Sequence, residues 1–262
     1  MGYKGEKTRI LSSTTDLCVL IRVGRKDDII STYINDTLYF SCPANWIDFA
    51  LKHNDQNTGD CFECAFLRTF VTDPYFLQLK RKFGDNMMYE IVGDGTCFAC
   101  FIPSLFTPTI CFYSLKNGNT ENLRIFAQKM NCPNSAALVI LDSRQFIEDL
   151  YENIVSIIPN LSTERYKSSF SYDNLLFVRD ITYVDKKHSL FSFDMMDALF
   201  MKDKSYSYQH ETRMIIPYRH FHNIGIPGKP DYMKCSIMVH LPRLKNYAKV
   251  FEIDKNLEIK VF

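Results

Sequence analysis

The stretch Tyr208-Gln-His-Glu-Thr-Arg-Met-Ile-Ile-Pro217 places Gln209, Glu211 and Arg213 at alternate positions ahead of an apolar run. Side chains alternate across a strand, so a strand here puts these three on one face and Tyr208, His210, Thr212 and Met214 on the other. Two readings of the polar row follow. It is a solvated edge face with Glu211 and Arg213 stapled to neighbours, or it is a Gln-x-Glu element lining a ligand cleft. In the second, a glutamate positioned by the glutamine before it holds a ribose hydroxyl and stabilises positive charge as a glycosidic bond breaks.

Outward from this stretch the texture is that of short strands. MMYEIV, CFACFI and TICFYSL, from Met87 to Leu115, are separated by Gly- or Pro-containing stretches. LCVLIRV from Leu17, TLYFSC from Thr37, SAALVILD, LLFVRDITYV and the terminal KCSIMVHLP, KVFEI and LEIKVF also read as strands. Helices are expected over residues 44–53, 62–71, 74–83 and 120–130, over Ser143 to Pro159 with Ser143 as N-cap, and over SFDMMDALFMK. Regular βαβ alternation and a Gly-rich phosphate loop are both missing. The chain therefore reads as α+β with a mixed or antiparallel sheet core, in a single domain over residues 1–262.

Composition bounds the function. With 262 residues, 46% hydrophobic and 14% aromatic, the chain can bury a sizeable core. A net charge of +1 gives no global field to recruit nucleic acid or an anionic membrane. The absence of a long apolar window or signal core leads to the expectation of a cytoplasmic protein with no membrane association. The nine cysteines are expected to be reduced and mostly buried. Cys61-Phe-Glu-Cys64 and Cys97-Phe-Ala-Cys100 share the C-x-x-C spacing of a zinc knuckle but sit in apolar sequence, so core cysteines are expected and no metal. His220-Phe-His222 and the other histidines form no metal motif with a nearby acid, and no serine lies in a Gly-x-Ser-x-Gly elbow.

Two further residues fit the cleft reading. Arg22 interrupts an apolar strand, where a guanidinium needs an acid or a phosphate as partner. Ser41 ends TLYFSC, where its hydroxyl can orient a nucleotide. Arg22, Ser41 and Gln209-x-Glu211 resemble, in that order, the elements of one group of ADP-ribosyltransferases. That resemblance implies a split sheet and NAD as substrate. Arg22 then binds the phosphate or ribose of NAD and Ser41 holds the nicotinamide-side ribose, with Tyr208 as a further cofactor-facing residue. Gln209 positions the acceptor, and Glu211 is the catalytic carboxylate.

A broader resemblance spans about residues 18–220. TLYFSCPANW with GDCFE, then ICFYS, then LRIFAQKMNCPNSAALVILD, then DALFMKDKSYSYQHETRMII are similar to successive blocks of an uncharacterised bacterial defence-associated family, domain of unknown function 2971. Asp60, Phe62, Glu63, Asp142, Phe200, Lys202, Tyr208, Glu211 and Arg213 match its pattern, whereas Gly59, Cys61 and Ser135 depart from it. The two resemblances together imply a toxin or antiviral effector acting on RNA, DNA or protein, with an antitoxin or other defence-system partner. Asp60, Glu63 and Arg213 would support the site; alternatively Asp60 and Glu63 cap a helix or pair Arg213. The rival expectations are a non-enzymatic binding module of a defence system and a magnesium-dependent nuclease built on Asp60, Glu63 and Glu211.

Overall fold

The computed structural model describes residues 19–53, 63–91, 95–115, 126, 129, 135–161, 175–185, 189–190, 195–217, 236–253 and 259–261. Its largest sheet has seven strands, all antiparallel. In spatial order they are β15 (Ile259–Val261), β14 (Ala248–Ile253), β7 (Ser135–Ile140), β1 (Val19–Arg25), β6 (Thr109–Leu115), β12 (Glu211–Ile215) and β8 (Phe177–Asp180). A second sheet of four strands runs β10 (Ser189–Leu190), β3 (Ala65–Phe70), β5 (Thr96–Phe101), β4 (Met87–Ile91). Two ribbons complete the strands: β2 (Thr37–Phe40) with β13 (Ile237–His240), and β9 (Thr182–Val184) parallel to β11 (Met201–Asp203). This is the α+β class with a multistranded antiparallel sheet, as the sequence implies.

Each face of the large sheet buries a different core. One face carries Leu20, Ile110, Phe112, Leu138 and Met214 against Ile29 of α1 (Lys26–Ile34) and Phe146, Leu150 and Ile154 of α5 (Ser143–Leu161). The other carries Ile215 into a cluster with Ala65, Phe98 and Cys100 of the four-stranded sheet, with Cys64 just before it, and with Leu199 and Phe200. That sheet in turn buries Leu67, Cys97, Ala99 and Phe101 against Phe76 and Leu79 of α3 (Pro74–Phe83). Helix α3 is well punctuated, with the Asp73 carboxylate accepting from the Tyr75 N–H at 2.8 Å, Pro74 at the first position, and Gly84 ending it at φ 51°.

Several elements differ from expectation. Residues 62–71 hold strand β3 in place of a helix: Ala65, Leu67 and Arg68 are good helix formers, but pairing with β5 overrides them. Helix α1 was not expected, and no side chain caps its start. The cap of α5 is Asp142, whose Oδ1 accepts from the Gln145 N–H at 2.9 Å, in place of Ser143. LLFVRDITYV divides at Ile181 into β8 and β9, because the backbone turns from β12 to a new partner strand. Of the helix expected over 120–130, only Phe126 and Lys129 are among the described residues, and both are helical. Cys97 and Cys100 point to opposite faces of β5, into separate cores, so they cannot close on one ion; Cys61 lies outside the described residues.

A candidate site between the two sheets

Strand β12 is paired on both sides, by β6 and β8, so the edge-face reading of the polar row is corrected: Glu211 and Arg213 are buried, Arg213 completely. The row is also not one strand. Gln209 ends a 3-10 helix (Lys204–Gln209) whose start is capped by Asp203, and His210 follows in the left-handed region at φ 37°. Only from Glu211 does the ladder run, with Glu211 opposite Tyr113 and Arg213 opposite Cys111 on β6.

Four charges meet on this face. The Arg213 guanidinium donates from Nε and Nη2 to Glu211 Oε1 at 2.8 and 2.6 Å, and from Nη1 to Glu63 Oε1 at 2.7 Å and the Leu199 carbonyl at 2.5 Å. Its plane lies 5.5 Å from the ring centre of Trp46 on α2 (Pro43–His53). Lys202 on β11 donates to Gln209 Oε1 at 2.8 Å and Glu211 Oε2 at 3.1 Å, with Glu63 Oε2 at 3.7 Å. The quartet of Glu63, Lys202, Glu211 and Arg213 carries no net charge. It joins the four-stranded sheet, which Glu63 precedes, to the seven-stranded one.

Burial alone would raise the Glu211 carboxyl, but Arg213 and Lys202 outweigh it and hold the group down at about 2. Lys202 shows the converse: burial lowers it, yet Glu211 and Glu63 leave it raised. Burial pushes up the Cys111 thiol, and the adjacent Glu211 charge adds to it. Four donors converge on Glu211: Nε and Nη2 of Arg213, Nζ of Lys202, and the Cys111 thiol. A carboxylate has roughly four lone-pair positions, so this one is filled. The Glu211 backbone N–H donates to the Tyr183 hydroxyl at 2.9 Å.

The other expected residues divide. Glu63 joins the quartet, which also bears out its reading as the partner of Arg213. Tyr208 is half-buried, its hydroxyl 3.4 Å from Gln209 Nε2 and its ring 3.8 Å from Lys129 Nζ. Ser41 follows β2 and bridges Thr109, so it shares the Glu211 face, about 13 Å along β6 from Tyr113 at 3.3 Å per residue. Its hydroxyl accepts from Asn45 Nδ2 at 3.2 Å. Asp60 lies outside the described residues.

Arg22 is not brought to Glu211. Ile21 pairs with Tyr113, so Ile21 shares the Glu211 face and Arg22 leaves β1 from the opposite one. Beyond that pair β1 and β6 separate, and β6 is met next by Ser41. In the fork the Arg22 guanidinium donates to the Cys111 carbonyl at 3.4 Å, and burial lowers its pKa. The placement of Arg22 beside Glu211 is therefore corrected by strand parity.

Sequence reasoning missed two residues. Lys202 enters the sequence reading only as part of a motif, although a lysine nine positions before a buried glutamate is a usable signal once β9, β11 and β12 are recognised as neighbours. Tyr113 was read only within a strand; it is buried between Ile21 and Glu211 and its ring packs on Phe126 at 4.6 Å.

Among the described residues, no group of three or more His, Cys, Asp or Glu side chains is placed to hold a metal ion, and no helix is long and apolar enough to cross a membrane. No family model, curated protein or solved structure matches the chain.

Proposed function

We propose that the chain is an ADP-ribosyltransferase-like enzyme that cleaves NAD and transfers ADP-ribose to RNA, DNA or protein, as a toxin or antiviral effector of a bacterium. The observation that carries this reading is an ionised glutamate beside a fork in an antiparallel sheet. Glu211 is fixed on the strand next to β6, Gln209 is tied to it through Lys202, and β1 and β6 part beyond Tyr113. In the reaction the bond between ribose C1′ and the nicotinamide nitrogen breaks, and its electron pair leaves with neutral nicotinamide. The positive charge left on the ribose is stabilised by Glu211; an acceptor lone pair then bonds to C1′ and the acceptor gives up a proton.

A ribose hydroxyl reaches Glu211 only if one of its four donors yields. The Cys111 thiol is that donor, because a thiol is the weakest of the four, which leaves Lys202 in place between Gln209 and Glu211. Gln209 orients the acceptor, with Tyr208 and Ser41 on the cofactor side. Arg22, on the opposite face, is given no part in NAD binding. A magnesium-dependent nuclease is less well supported, because Glu63 and Glu211 are already neutralised by Arg213 and Lys202 and offer a divalent cation no surplus charge.

The test incubates purified protein with labelled NAD and cell extract, alongside Glu211→Gln, and follows nicotinamide release and label on protein, RNA and DNA. Wild type is expected to transfer label, and the variant, its fold verified by thermal unfolding, to lose at least ~100-fold in rate. A folded wild type that consumes no NAD in any extract overturns the reading in favour of a binding module. Chelator-sensitive, NAD-independent cleavage of nucleic acid overturns it in favour of the nuclease.

A further inference from the structure

The quartet does more than balance charge, because Lys202 also holds Gln209. Gln209 belongs to the end of a 3-10 helix and Glu211 to the first position of a strand, with left-handed His210 between them. No strand ladder therefore fixes the Gln209 side chain in relation to the carboxylate. Lys202 spans the junction, donating at 2.8 Å to Gln209 Oε1 and at 3.1 Å to Glu211 Oε2.

The ammonium is itself held from several sides. Glu63 Oε2 is 3.7 Å away, the Tyr206 ring centre 5.0 Å, and β11 pairs in parallel with β9, whose Tyr183 hydroxyl receives the Glu211 backbone N–H. An ammonium anchored by two carboxylates is a stiff reference point, and a charge-assisted hydrogen bond from it is short and directional. An amide has a donor end and an acceptor end of almost equal shape, so a fixed cation also decides which end points inward.

We infer that Lys202 is a positioning residue: it sets the orientation of the Gln209 amide against the Glu211 carboxylate, with the amide oxygen turned inward. The catalytic consequence rests on the ADP-ribosyltransferase reading, in which Gln209 orients the acceptor; the positioning itself does not. Titratable groups packed around Lys202 are Glu63, Glu211, Arg213, Cys111, Tyr183 and Tyr206, so the charge balance has to be kept when it is removed.

The experiment uses the full chain labelled with nitrogen-15, as wild type, Lys202→Arg, Lys202→Met, and the charge-balanced Lys202→Met with Glu63→Gln. Gln209→Ala identifies the Gln209 side-chain amide signals by their loss. In wild type these signals are expected away from the shifts of an exposed glutamine. They should move in the charge-balanced variant, which keeps Arg213 with Glu211, and be retained in Lys202→Arg, which keeps a donor. Unmoved Gln209 signals in either folded Lys202→Met protein overturn the inference.

A parallel assay of nicotinamide release separates the two claims. Loss of Lys202 is expected to lower kcat by ~10–100-fold with KM for NAD within about twofold, as misplacement of a reacting group does, and Lys202→Arg is expected to restore part of it. Unchanged kcat in a variant whose amide signals have moved overturns the catalytic consequence. Wild type without turnover overturns the transferase reading alone, and the amide signals still decide the role of Lys202.

Discussion

Replacing Arg213 by Met removes the cation that holds Glu63 and Glu211 together. Lys202 then faces two buried carboxylates alone, and the quartet passes from neutral to one net negative charge. Removing one partner of a buried pair costs about 3–5 kcal/mol, mostly through the uncompensated charge left behind. At ~2–4 °C per kcal/mol, melting should fall by roughly 6–20 °C. The charge argument has a stricter consequence. Adding Glu63→Gln restores neutrality, with Glu211 left to Lys202, so the double variant should be more stable than the sum of the two single effects requires by at least ~1 kcal/mol. Urea unfolding of wild type, both single variants and the double variant measures this. A single Arg213→Met change costing under ~1 kcal/mol, or full additivity of the pair, would refute the claim that the quartet is held by mutual charge compensation.

Two other outcomes follow from the same structure. The Glu211 carboxyl is held at about 2, below its ordinary value of 4.5, so its contribution to stability is fully present above about pH 5 and is lost as pH falls toward 2; urea midpoints taken between pH 7 and 3 should decline over that window, and the Arg213→Met protein, in which the main cause of the depression is gone, should decline less or not at all. Ser114 presents a buried hydroxyl oxygen without a hydrogen-bond partner among the described residues, on the core face of β6 beside Leu20, so Ser114→Ala should leave stability unchanged or raise it by up to ~1 kcal/mol, and a loss above ~1 kcal/mol in the same assay would show an unrecognised partner.

The strands between Met87 and Leu115 are legible because their apolar character is strong and their turns carry Gly or Pro. CFACFI and TICFYSL became β5 and β6 with little change. What failed depended on partners far along the chain. ECAFLRTF has the composition of a helix and becomes β3 only because β5 lies beside it. Gln209 obeys strand spacing on paper, but Asp203 caps a 3-10 turn and His210 takes a left-handed conformation, so the strand begins two residues later. The candidate site was half legible for the same reason. Glu211 and Arg213 share a face by spacing alone, whereas Lys202 enters through β11, a strand of three residues, and the face taken by Arg22 is set by the pairing of Ile21 with Tyr113, which no local pattern encodes.

The contact between Glu63 and Arg213 closes a separation of 150 residues. Neither carboxylate of the quartet can leave water until both sheets are assembled and docked, since before that point the desolvation of each charge has no compensation. The quartet therefore belongs to the last stage of folding, after the local hairpins and after most of the apolar area is buried. Weakening it should act on how fast the native protein comes apart and hardly at all on how fast it forms, which makes these four side chains a lock on the lifetime of the folded state.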